Sequence, residues 1–204
     1  MAKLKIRLCF KKRACLCFYK DGKGAAAMIS VDGLYIVNYC HSNCKPLKNI
    51  MRLTKEKAFA VAHEMAAENA KTTAFYRFAD FENYYPRRMK ADSLLYTAFL
   101  SLGGIPETEH PLSFVLQGSE YLDEWFDHGV ITKIPLINIP SEFISFTYGD
   151  SMAVLEKDCK ISVMTKAMLF KSIQQFKGTI EEYIKEISER YIILRFSFGM
   201  TIIA

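Results

Sequence analysis

Long uncharged hydrophobic runs are missing from this sequence. Lys, Arg or Gly interrupts its most apolar stretches before they reach the ~18 residues that a membrane-spanning helix needs, so no membrane partner is expected. Cysteine is sparse, with six in 204 residues, too few for a disulfide scaffold. The opening MAKLKIRLCFKKRACLCFYK is basic like an export signal, but charges recur where the apolar centre of a signal would lie. The expectation is an unexported, cytoplasmic protein with reduced thiols. No internal repeat, low-complexity tract or Pro/Ser-rich linker divides the chain.

The glycine-rich phosphate loops are missing as well. There is no G-x-x-x-x-G-K-[ST] and no G-x-G-x-x-G, so any nucleotide would have to be held by side chains. Histidine is scarce, and His63, His110 and His128 lie far apart, none of them in a G-x-S-x-G or H-E-x-x-H context. No acid, base and nucleophile set can be assembled. Gly149-Asp150-Ser151 is superficially similar to the triplet of GDS-type esterases, but no histidine follows His128, and the triplet reads as a turn after a strand. Cys15-x-Cys17 and Cys40-His41-x-x-Cys44 could in principle supply four soft ligands, yet only the second has usual zinc spacing, and they read as thiols with no metal site. No cofactor is called for.

Half of the residues are hydrophobic, ample for one buried core. The net charge of +5 is concentrated at one end. Residues 1–24 hold eight Lys or Arg against Asp21, while the remainder has nineteen basic against twenty-one acidic residues. This divides the chain into a basic arm or edge strand, 1–24, and a single domain, 25–204. The arm alone could make weak nucleic-acid contacts, through residues 3–23.

Periodicity supplies the elements. Leu4, Ile6, Leu8 and Phe10 alternate with charged residues as in a strand. Asp32-Gly33 between two β-prone runs suggests a type I′ hairpin. Thr54 caps a helix over 55–69, and a second helix runs from Pro86 to Leu102, with Pro in its first turn and Gly103-Gly104 after it. Strands follow at 111–117, 130–139 and 143–148, with a Ser119-capped helix ending at Gly129 between the first two. A helix ending at Gly178 and another capped by Thr179 and Glu182 precede a last strand. The closely spaced strands leave no room for regular crossover helices. The fold predicted is α+β: a mixed, mostly antiparallel sheet of five to eight strands with three longer helices packed on it.

One stretch stands out, YRFADFENYYPRR. It gathers Tyr76, Phe78, Phe81, Tyr84 and Tyr85 with Arg77, Arg87 and Arg88, against Asp80 and Glu82. Guanidinium forks and flat rings are what a phosphate-bearing ligand needs. Arg77 is expected on a strand, and Arg87 and Arg88 in the first helical turn after Pro86, where cations oppose the helix dipole and a bound anion would relieve them. The alternative pairs the arginines with Asp80, Glu82 or Asp92 and sends Phe81, Tyr84 and Tyr85 into the core. Ser145 and Thr147 share one side of a strand. The predicted pocket lies between the start of the Pro86 helix and that strand, with Tyr84, Tyr85 or Trp125 as its wall.

A Tyr-Arg on a strand, a later Ser-x-Thr strand and a downstream glutamate loosely resemble the Arg-Ser-Glu pattern of ADP-ribosyltransferases. The resemblance implies that Arg77 holds dinucleotide phosphates and that Ser145 or Thr147 supplies the middle motif. The glutamate would be Glu156 or the Glu181-Glu182 pair, none of them in the family's E-x-E or Q-x-E setting. The function expected first is a non-catalytic ligand-binding or regulatory protein with a phosphate- or nucleotide-type anion site. A nucleotide- or dinucleotide-dependent enzyme and an arm-borne nucleic-acid binder are the alternatives.

Overall fold

Antiparallel pairing organises the chain. A computed structural model describes residues 31–152, 161–191 and 200–202. The basic arm, its expected strand and the run before Val31 lie outside the described residues. Six strands, β1 (Tyr35–Cys40), β2 (Leu112–Leu116), β3 (Val130–Pro135), β4 (Ile144–Thr147), β5 (Val163–Thr165) and β6 (Met200–Ile202), stand in the order β3-β1-β2-β6-β4-β5. Every neighbouring pair is antiparallel. β2 joins two smaller sheets: Val115 and Leu116 pair with β1, while Leu112, Ser113 and Phe114 pair with β6.

Besides short 3-10 turns, the described residues include the α-helices α1 (Lys55–Glu68), α2 (Tyr76–Ala79), α3 (Phe81–Ser101), α4 (Glu120–Trp125), α5 (Lys166–Gln175) and α6 (Ile180–Tyr191). The α+β class expected from sequence is what the chain adopts. None of these helices is long and apolar enough to cross a membrane.

Period-two alternation places the cores. Ile144, Phe146 and Met164 join Leu34, Ile36, Phe114, Leu116 and Leu136 beneath Leu169, Ile173, Tyr183 and Ile187 of α5 and α6. Across β5, Leu95 and Phe99 of α3 pack with Val163. A third cluster buries Ala58, Ala62 and Phe81 among Phe59, Phe78, Tyr84 and Tyr85. Each fully buried Leu, Ile or Phe adds about 1.5–3 kcal/mol.

Caps follow the sequence closely. Thr54 accepts from Lys57 N at 3.5 Å, Ser119 from Leu122 N at 3.2 Å, and Thr179 and Glu182 bond reciprocally at 2.7 and 3.2 Å. Other expectations fail. Leu34 N donates to Val31 O in the Asp32-Gly33 turn, but neither turn residue has a positive φ, so it is not type I′. Both edges of β1 are already taken by β2 and β3. Gly129 ends no helix in the left-handed conformation. Asp127 and His128 take the positive φ instead, and Gly129 is required because an added Cβ would lie 2.3 Å from Cys40 O. Gly178 likewise has no positive φ, and α5 stops at Gln175 with Phe176 extended.

The largest correction concerns residues 76–88. Tyr76-Arg77 is helical, not extended, and α3 begins at Phe81, which leaves Pro86 inside it. Pro86 cannot donate to Glu82 O, a defect costing about 3 kcal/mol in an unsupported helix. The first turn survives because Tyr84 N donates to Asp80 O at 3.0 Å and because Phe81 is buried against α1 and Phe78. Packing has overridden the proline.

Candidate functional site

The helical α2 fixes a row of rings beside a cation. Arg77 Nε donates to the Tyr76 hydroxyl at 2.8 Å, and its guanidinium lies 5.5 Å from the centre of the Tyr76 ring and 5.8 Å from that of Tyr84. Tyr76 is 52% exposed and meets Trp125 edge-on at 5.4 Å, and Trp125 lies 5.7 Å from Tyr121, one turn earlier on α4. Ser119, the cap of α4, donates its N–H to Tyr39 Oη at 2.8 Å, which ties this helix to β1. Tyr121, Trp125, Tyr76, Arg77 and Tyr84 therefore form one continuous row.

Asp150 closes the row. Beyond β4 the chain turns through Gly149 at φ +81°, and Asp150 Oδ1 accepts from Met152 N at 3.0 Å, the turn expected of the GDS triplet. Its other oxygen lies 3.5 Å from Arg77 Nη2, with both side chains partly exposed, at 22% and 29%. Burial draws the Arg77 pKa down, but the Tyr76 hydrogen bond and the Asp150 and Tyr84 charges outweigh it and hold the cation above its ordinary range.

Arg88 belongs to a different assembly. Seven and eight residues into α3, Arg87 and Arg88 are past the first turn, where the dipole acts, so the expected conflict does not arise. Arg87 is exposed. Arg88 is 8% exposed and places Nη2 2.7 Å from Asp92 Oδ1, the structural pairing that sequence offered as the alternative. Asp92 is completely buried, and its Oδ2 lies 2.9 Å from His110 Nδ1. Arg52 Nε donates to His110 O at 2.7 Å. Burial pulls Arg88 down, but Tyr84, Asp92 and Asp150 raise it overall. For Asp92 burial is the larger influence and lifts its carboxyl above the ordinary range despite Arg88 and His110.

Tyr85, Ser145 and Thr147 pack inward, Tyr85 half-buried and the other two buried. Tyr85 packs on Phe59 at 5.3 Å and Phe81 at 5.6 Å. Ser145 and Thr147 are buried in β4, and Thr147 pairs in register with Val163, which packs on Leu95 and Phe99. Thr147 Oγ1 donates to Gly149 O at 3.1 Å. The structure thus unites Arg77, Tyr84 and Trp125; Arg88 comes near Tyr84 from the buried side, paired with Asp92, while Tyr85, Ser145 and Thr147 turn to other packing. Helical Arg77 also lacks the strand setting of the ADP-ribosyltransferase pattern. Glu156 lies outside the described residues, and Glu182 is engaged in its capping box.

Tyr76, Tyr121 and Asp150 were missed as site residues. Tyr121 and Trp125, four apart on a Ser-capped helix, carried the only legible signal. Hollows of about 260 Å³ beside Phe114, Ile134 and Phe143, and about 270 Å³ beside Tyr148, Phe176 and Tyr183, lie elsewhere. Burial, then the neighbouring Cys44, pushes the Cys40 thiol up to about 11, and burial also raises Cys44. Both thiols therefore hold their protons to higher pH than a free cysteine. Among the described residues no three His, Cys, Asp or Glu side chains gather as a metal site, and Cys15 and Cys17 lie outside them. No protein-family model matches the chain, and no curated protein or solved structure does either.

Proposed function

We propose that the chain is a non-catalytic binding protein that takes a flat, phosphate-bearing ligand of nucleotide type along Tyr121, Trp125 and Tyr76, with Arg77 meeting the anion. The observation that carries this reading is the double role of Tyr76. Its ring packs on Trp125 while its hydroxyl accepts from Arg77, so that aromatic surface and cation are fixed side by side. Stacking a base on such a ring contributes about 1–3 kcal/mol, and a guanidinium has the fork that phosphate oxygens match. The row offers stacking and charge. His110 does have a carboxylate partner, but its other ring nitrogen bonds no hydroxyl or thiol of the described residues.

Trp125 is the chain's single tryptophan, so fluorescence excited selectively at tryptophan, beyond the absorption of the eleven tyrosines, reports on this row. Titration with AMP, ADP and NAD should quench it, and a ligand at a hundredfold excess over its Kd should add about 2.7 kcal/mol of stability. Trp125→Ala should lose that stabilisation. Unchanged fluorescence and unchanged melting with all three compounds would overturn the reading.

A further inference from the structure

We infer that Asp150 is a built-in stand-in for the ligand's anion, a carboxylate that occupies Arg77 in the resting protein and must be displaced when a phosphate binds. The inference rests on the binding reading above and adds how that site is held shut. Its geometry is that of a replaceable partner. Asp150 Oδ2 stands 3.5 Å from Arg77 Nη2, looser than the 2.7–2.9 Å of a well-formed guanidinium–carboxylate bond, whereas Arg88 and Asp92 meet at 2.7 Å.

Charge balance leads to the same conclusion. Arg77 faces Asp150 and Arg88 faces Asp92, so in the resting protein each of these two guanidiniums already has a carboxylate opposite it. Asp92 cannot leave, because it is fully buried and also holds His110. Asp150 can. It is partly exposed, it sits just after Gly149, whose positive φ marks a turn, and its other oxygen keeps Met152 N satisfied on its own. Turning the outer oxygen away frees one guanidinium edge next to the Tyr76 ring without opening the core. Specificity follows: a ligand without an anion gains stacking but cannot replace the carboxylate, and a bare anion replaces it without stacking.

Asp150→Asn separates the two oxygens' roles, since the amide oxygen can still accept from Met152 N while the charge facing Arg77 is gone. Calorimetric titration of the full chain with ADP and with inorganic pyrophosphate should show the variant binding both at least about sixfold more tightly than the parent, the fully water-screened repulsion between one carboxylate and an anion about 4 Å away, which the parent must relieve by moving Asp150. Binding seen only in the variant would support the inference equally. Adding Arg77→Gln should abolish the gain. Equal or weaker binding by Asp150→Asn, with the parent still binding, would overturn the displaced-carboxylate inference and leave the binding reading intact. If neither protein takes ADP or pyrophosphate, both fall. Should melting show that Asp150→Asn does not fold, Asp150→Ser, which keeps a short acceptor, makes the same comparison.

Discussion

Arg77 and Arg88 differ in what surrounds them far more than in chemistry. Both approach a carboxylate and both lie near Tyr84. Arg88, on α3, is closed in with a fully buried partner that also holds His110, so its pair fixes the loop carrying His110 to the helix. Arg77, on α2, is partly exposed, loosely paired and framed by rings that reach solvent. An arginine whose charge is locked into the interior cannot serve a ligand without unfolding something. One at the surface can exchange its partner. Their nearness in the sequence says nothing of this, since burial separates the two roles.

The most severe test of the contrast is Asp92→Ala, which leaves the Arg88 cation buried and uncompensated. It should cost about 3–5 kcal/mol in urea unfolding. Replacing both partners, Arg88→Met with Asp92→Leu, should recover most of the loss, because a buried pair is expensive to break but inexpensive to replace by apolar groups. If Asp92→Ala unfolds with the stability of the parent, the interior pair is no clamp.

His110→Ala is the intermediate case. It strips Asp92 Oδ2 of its 2.9 Å partner and should cost about 1–3 kcal/mol, the penalty of an unsatisfied buried acceptor. Arg77→Gln should abolish quenching of Trp125 by ADP, with the fold intact by circular dichroism. Retained quenching would show that the rings bind without the cation.

The exposed extreme is His128, 70% exposed and 2.8 Å from Asp123. The hydrogen bond to Asp123, then its charge, raises the His128 pKa. A raised histidine holds its proton more tightly when folded, so the small contribution of this pair is present below the unfolded value near 6.5 and is lost as pH rises through the folded one. NMR titration should place His128 above the ordinary histidine value, and Asp123→Asn or added salt should bring it back.

The cap and core residues were readable because they obey local rules. Thr54, Ser119 and the Thr179–Glu182 box sit next to apolar stripes, and those signals depend on a few neighbouring residues. The antiparallel sheet was readable from strands too close for crossovers. The strand at Tyr76 and the helix start at Pro86 were misread for one reason: Phe75, Phe78 and Phe81 enter the aromatic packing around α1, and burial decided conformation over proline and β-propensity. The site was legible only in part. Arg77, Tyr84 and Trp125 carried suggestive chemistry, but Asp150 arrives from a turn about seventy residues later, and no local pattern records that approach.

The central claim, that burial assigns these two arginines different roles, is tested most directly by the unfolding free energies of Arg77→Gln and Arg88→Gln measured side by side in urea without ligand. Arg88→Gln strands a buried carboxylate and should lose about 3 kcal/mol or more, while Arg77→Gln, a partly exposed pair, should lose less than about 1 kcal/mol. Equal losses, or a larger loss for Arg77→Gln, would contradict the account.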